Sequence, residues 1–221
     1  MTVVTNLITN GGAETNLTGW VTGVTTTATR SQEQVKSGSW SMKLVTVSDI
    51  GLTRHPYTVT PSTQYTQQCQ IYRTETVRTL TMQARDQDSV ATLAEVTVPL
   101  VLGWNFVKVT YTTQAGQTTG HLRITGDGNA VTIYVDEAQV ELGSVANPYV
   151  HTDGAAITAE LYTGSGGGAA GGAALAALGA IVVGSGGGSA GGSAAAVLDA
   201  TSIVALTGSY VPTISIIGGG P

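Results

Sequence analysis

From the N-terminus to Val150, apolar and polar residues alternate along short runs. Met42 and Leu44 share one side of SMKLV, and Leu80, Met82 and Ala84 share one side of LTMQA. Val96, Val98 and Leu100 follow, then Val107, Val109 and Tyr111, then Leu122 and Ile124. A period of two marks strands with one buried side, and no run shows the helical period. Turn signals punctuate the runs: Asn10-Gly11-Gly12, Ser37-Gly38, Thr60-Pro61-Ser62, Gly126-Asp127-Gly128 and Asn147-Pro148. Many short alternating strands predict two sheets packed face to face, a sandwich or jelly roll.

One run breaks its own alternation. In VTIYVDEAQVELG, Val131, Ile133 and Val135 share a side, and the apolar set then resumes at Ala138, Val140 and Leu142 on the opposite parity. A one-residue slip turns every side chain over, so the strand is predicted to bulge at Asp136 and Glu137. A bulge re-aims a carboxylate; the alternative is a surface kink with two solvated acids.

After NPYVHTDGA the character changes. Residues 154–163 read as a connector. From Gly164 the chain runs GSGGGAAGGAA, and from Gly184, twenty residues on, GSGGGSAGGSA. The final stretch, LDATSIVALTGSYVPTISIIGGGP, regains β-branched residues and reads as two or three strands. The expected fold is all-β: a jelly-roll β-sandwich over 1–153, then a Gly/Ala-rich region with terminal strands over 164–221. Glycine loses more conformational freedom on ordering than any other residue, so such a segment is either a linker or ordered by close backbone approach. The embedded LAALGAIVV would be a liability if left bare. The tail's expected partner is therefore another protein chain, either copies of itself, with a trimer favoured, or a larger assembly.

Charge narrows the partners. Lys and Arg total 9 against 14 Asp and Glu, and beyond Arg123 every charged residue is an acid. Such a half cannot neutralise phosphates, which argues against nucleic acid and anionic membranes. Cys69 is the only cysteine, so no intrachain disulfide forms, and its position suits a small buried strand residue. MTVVTNLITNGG lacks the basic start and apolar core of a secretion signal. Ala169 to Val183 is weakly hydrophobic and shorter than the roughly 20 residues of a membrane helix, so no span is expected.

The combination NLITNGGAETNLTGW, SGSWSMKLV, LGWNFVKVTYTT and YVDEAQVELGS resembles carbohydrate-binding modules of the calcium-containing jelly-roll type, over residues 5 to 150. The resemblance implies a structural calcium ion held by an acid near each end of the domain and by main-chain carbonyls. Glu14 and Asp136 stand in the acid positions, and Gly12 is the candidate carbonyl donor. It also implies aromatic rings that stack on sugar faces. Tyr72 and Tyr134 point opposite to the apolar sets on their strands, so Tyr72 is the first candidate platform, with Tyr134, Arg73 and Gln83 beside it and Gln70 nearby. Trp20 and Trp104 are expected in the core.

A second resemblance is narrower: DEAQVELGSVANPYVHTDG is similar to the end of such modules in bacteriophage virion proteins, on tail or capsid. It implies a structural protein displayed on a virion, bound to other virion proteins and able to bind host-surface glycans. The alternative is a carbohydrate-binding module of a secreted polysaccharide-degrading enzyme. No nucleophile elbow, zinc-binding His pair or phosphate loop occurs, and His55, His121 and His151 are scattered, so no enzyme is expected. Glu137 and Glu141 read as a solvated face rather than a hydrolase pair.

Overall fold

A computed structural model describes residues 2–48, 50–86, 91–164 and 181–184. The chain divides into a body, Val4–Ala159, and a second unit of Met1–Val3 with Glu160–Pro221. The described residues of the body contain no helix. Its strands in chain order are β1 (Thr2–Asn6), β2 (Val21–Thr22), β3 (Thr26–Ser31), β4 (Ser41–Thr46), β5 (Gly51–Thr58), β6 (Gln64–Arg73), β7 (Thr81–Arg85), β8 (Thr92–Thr97), β9 (Gly103–Thr112), β10 (Thr119–Thr125) and β11 (Val131–Leu142). Two five-stranded sheets form a jelly-roll sandwich. The first has the order β3-β4-β11-β6-β9 and the second β2-β5-β10-β7-β8.

The alternation read from the sequence places the core. Met42, Leu44, Cys69, Ile71 and Ile133 of the first sheet meet Leu52, Met82, Leu122 and Ile124 of the second, all buried. Cys69 Sγ lies 3.5 Å from Met82 Sδ across the layers. Burial pushes the Cys69 thiol well up, which keeps it an inert packing group. Two expected core residues lie outside: Leu100 falls beyond the end of β8 and Leu142 is the last residue of β11, and they stand 57% and 67% exposed.

The second unit contains the rest of β12 (Ile157–Gly164) and β13 (Ile181–Gly184). The stretch expected as a connector is thus largely strand. The two strands pair in parallel, Leu161 with Ile181 through Gly164 with Gly184. Most of the Gly/Ala repeat, the candidate span from Ala169 and the terminal strands lie outside the described residues. Among the described residues, no helix is long and apolar enough to cross a membrane.

Candidate functional site

The bulge in β11 organises everything around it. β11 pairs with β6 as Asp136↔Gln70 and then Gln139↔Gln68, so Glu137 and Ala138 together stand opposite Cys69 and the strand carries one extra residue. Glu137 takes φ +52°, a conformation non-glycine residues seldom adopt. The apolar parity switches there as expected: Val135 and Ala138 both face the core. The opening segment of the chain clasps this bulge. Asn6, fully buried, donates its amide to Ala138 O (3.1 Å) and Val150 O (2.9 Å) and accepts from the Ile8 and Val140 amides.

Asp136 is itself buried. Its Oδ2 accepts from the Lys36 (2.9 Å) and Ser37 (3.2 Å) amides, and its Oδ1 from the Glu137 amide at 2.7 Å. Burial pushes its pKa up to about 7; the backbone donors oppose the shift and the Glu137 charge adds to it. Glu14 accepts from the Ser39 and Trp40 amides of the same loop at 3.0 and 3.2 Å. Gly38 makes that wrap feasible: it has φ +71°, and a Cβ there would stand 2.1 Å from Glu14 Oε1. Gly12 lies between the acids, since a Cβ added to it would meet Tyr149 Oη at 3.1 Å, Asp136 Oδ1 at 3.5 Å and Glu14 Cγ at 3.8 Å. The fold thus brings Gly12, Glu14 and Asp136 together.

These are oxygen donors of the kind calcium takes, and Asp136 is a buried carboxylate with no Lys or Arg ion pair among the described residues, chemistry that a divalent ion satisfies. Among the described residues no cluster of three or more His, Cys, Asp or Glu side chains is placed to hold a metal. Main-chain carbonyls would have to complete the about six to eight oxygens that calcium requires. Two nearby carbonyls, Ala13 and Glu14, already accept from the Arg30 guanidinium.

Beyond β11 the chain folds back over the outward side of the first sheet. Glu141 accepts from the Asn147 amide (2.8 Å) and side chain (2.6 Å), Gln139 accepts from the Val150 amide (2.7 Å), and Gln68 donates to Asn147 O (2.7 Å). Glu141 is therefore buried, not part of a solvated face. Asp136 is not a solvated acid either; only Glu137 of the pair keeps exposure.

Next to this cover the sheet bears an aromatic row. Trp104, Tyr72, Tyr134 and Lys43 are successive register partners across β9, β6, β11 and β4. Tyr72 meets Trp104 edge-on at 5.5 Å and Tyr134 edge-on at 5.8 Å. Tyr134 is only 4% exposed, its hydroxyl bonded to Glu33 and its ring 5.6 Å from Lys43 Nζ. In the adjoining row Phe106 stands 51% exposed opposite Gln70. A cavity of about 350 Å³ opens there, lined by Gln68, Gln70, Phe106, Glu137, Asn147 and Tyr149. The bulge thus aims Glu137 into a groove walled by an exposed ring.

The structure gathers Tyr72 and Tyr134 but separates their expected companions. Arg73 is 1% exposed, and its guanidinium donates to the Glu75 and Arg78 carbonyls. Gln83 lies on the second sheet, where its amide donates to Glu95 Oε2 at 2.9 Å. Trp104 is on the outward side and not in the core, because β9 turns Asn105 and Val107 inward. Trp20 does pack against the core, its ring edge-on to His55 at 5.1 Å. Sequence reasoning passed over Phe106, although the inward parity of Val107 and Val109 marks it as outward. His55 and His121 are buried at neighbouring register positions of β5 and β10, bonded to Pro56 O and Asp86 O.

The body is a β-sandwich similar in fold to carbohydrate-binding-module jelly rolls. No protein family and no curated protein matches the chain. Solved structures do. The C-terminal family 22 carbohydrate-binding module of Clostridium thermocellum Xyn10B is similar at 16% identity and a TM-score of 0.48, over 62% of this chain and 94% of that one. TmCBM61, solved in complex with β-1,4-galactotriose, is similar at 11% identity and 0.48, over 62% and 99%. The enzymatically active domain of tailspike protein 4 of bacteriophage CBA120 is similar at 16% identity and 0.47, over 62% of this chain and 21% of that one.

Proposed function

We propose that this protein is a non-catalytic structural protein of a bacteriophage particle whose body binds saccharides in the groove beside Phe106. The groove carries the reading. An exposed aromatic ring offers a face to the C–H side of a sugar, while Gln70 and Glu137 offer hydrogen bonds to its hydroxyls. Tyr72 and Trp104 continue the apolar surface along the sheet. The placement on a particle is supported by the resemblance of residues 136–154 to virion proteins and by a tail suited to assembly. Glu14 and Asp136, with main-chain carbonyls, would hold a calcium ion, which supplies charge compensation and ties the opening segment to β11.

Titration calorimetry of the chain with neutral xylo-, cello- and galacto-oligosaccharides tests the reading. At least one series binds, and Phe106→Ala or Tyr72→Ala weakens it on the order of tenfold with the fold retained. Failure of every neutral series to bind would remove the groove's assigned role. Detection of the same chain in purified particles supports the virion placement, and its appearance only as a module of a secreted hydrolase overturns it.

A further inference from the structure

The outward side of the second sheet carries an arrangement that the groove does not use. Arg123 of β10 is the direct register partner of Arg54 of β5, and Arg85 of β7 lies one row away, opposite His121. Like charges directly opposite each other on antiparallel strands destabilise the pair. No acid among the described residues pairs with Arg54 or Arg123. Glu95, on the same face, is engaged by the Gln83 amide. Burial, with the charges of Arg85 and Arg54, lowers the proton affinity of Arg123.

Beside these two guanidinium groups lies a cavity of about 230 Å³, lined by Val21, Thr22, Val24, Gly51, Arg54 and Arg123. It is smaller than the roughly 300–1,000 Å³ of sites that engulf drug-sized ligands, and suits one sugar unit. Gly51 leaves room for the Arg123 guanidinium to lie over it: a Cβ there would stand 2.6 Å from a guanidinium nitrogen and push that flexible side chain aside. Planar guanidinium groups grip carboxylates through paired N–H donors. Val21 and Val24, 45% and 99% exposed, supply apolar contact at the rim.

We propose that this cavity is a second binding site, which takes the carboxylate of an acidic saccharide unit between Arg54 and Arg123 while the valines meet the sugar ring. That the anion belongs to a saccharide rests on the reading of the body as a glycan-binding module; the need for an oxyanion rests on the arginines alone.

The test titrates the full chain with an oligogalacturonide, with its methyl ester, which is neutral, and with a sulfated oligosaccharide of equal length. The acid binds about tenfold or more tightly than the ester and weakens as salt rises from about 50 to about 200 mM. Arg123→Gln and Arg54→Gln abolish the preference. Gly51→Ala keeps both arginines and displaces one, and it also weakens binding. Thermal melts report folding, and Arg54→Gln raises the midpoint because it relieves the repulsion. Equal binding of acid and ester, or indifference to Arg123→Gln and Gly51→Ala, overturns the site. Tighter binding of the sulfated sugar overturns the carboxylate assignment. Phe106→Ala leaves this binding intact, so loss of the groove's role and loss of this site are read separately.

Discussion

Asp136 concentrates the electrostatic cost of the fold. Its carboxylate is wholly buried and served by three backbone donors, yet its pKa rises to about 7 because desolvation outweighs them. A folded-state pKa above the unfolded value of 3.8 means that folding takes up a proton. In calcium-free protein the associated stability is therefore present in acid, below the unfolded pKa, and is lost as pH rises through the folded one. Melting midpoints in chelator should fall as pH rises from about 4 to about 7. Excess calcium should flatten that slope and raise the midpoint, because a cation bound to the folded state favours the ionised carboxylate. Asp136→Asn should remove both the slope and the calcium effect. A midpoint that ignores pH and calcium in the native chain would detach Asp136 from both roles.

At the level of elements, β11 shows how far the sequence could be read. The parity switch between Val135 and Ala138 was visible in the residues and foretold the bulge, because only an inserted residue can return apolar side chains to one core. The burial of Asp136 and Glu141 was not visible. Glu141 is met by the Asn147 end of the segment that crosses the outward face, and Asp136 by the Lys36–Ser37 loop, tertiary events that alternation does not encode. Arg73 and Gln83 show a related limit: sequence neighbours of Tyr72 face the opposite side of its strand or belong to the other sheet. Glu137 offers a separation of stability from function. Replacing it with glycine relieves a strained backbone, so Glu137→Gly should hold or raise stability by up to ~1 kcal/mol in urea melts. Saccharide affinity should fall at the same time, since the groove loses its carboxylate. A loss of stability would mean that the Glu137 side chain holds the bulge in place.

For the whole molecule, the tail poses the question of what satisfies it. The described strands β12 and β13 pair at a twenty-residue offset, Gly164 against Gly184, the same offset at which GSGGG recurs in the sequence. Repeat and register thus coincide at Gly164 and Gly184. Among the described residues β13 has a partner strand on one side only, which leaves a row of backbone donors and acceptors that favours pairing with another chain. Between Glu160 and Asp199 no charged residue is available to blunt such an edge. Light scattering of the full chain should accordingly give a trimer or larger species, and a chain ending at Ala159 should give a monomer that keeps the body's saccharide affinity. A full chain that stays monomeric, alone and within particles, would remove assembly as the reason for the repeat. Its uncharged small residues would then need another explanation, and the proposed saccharide groove of the body would be left as the function to test.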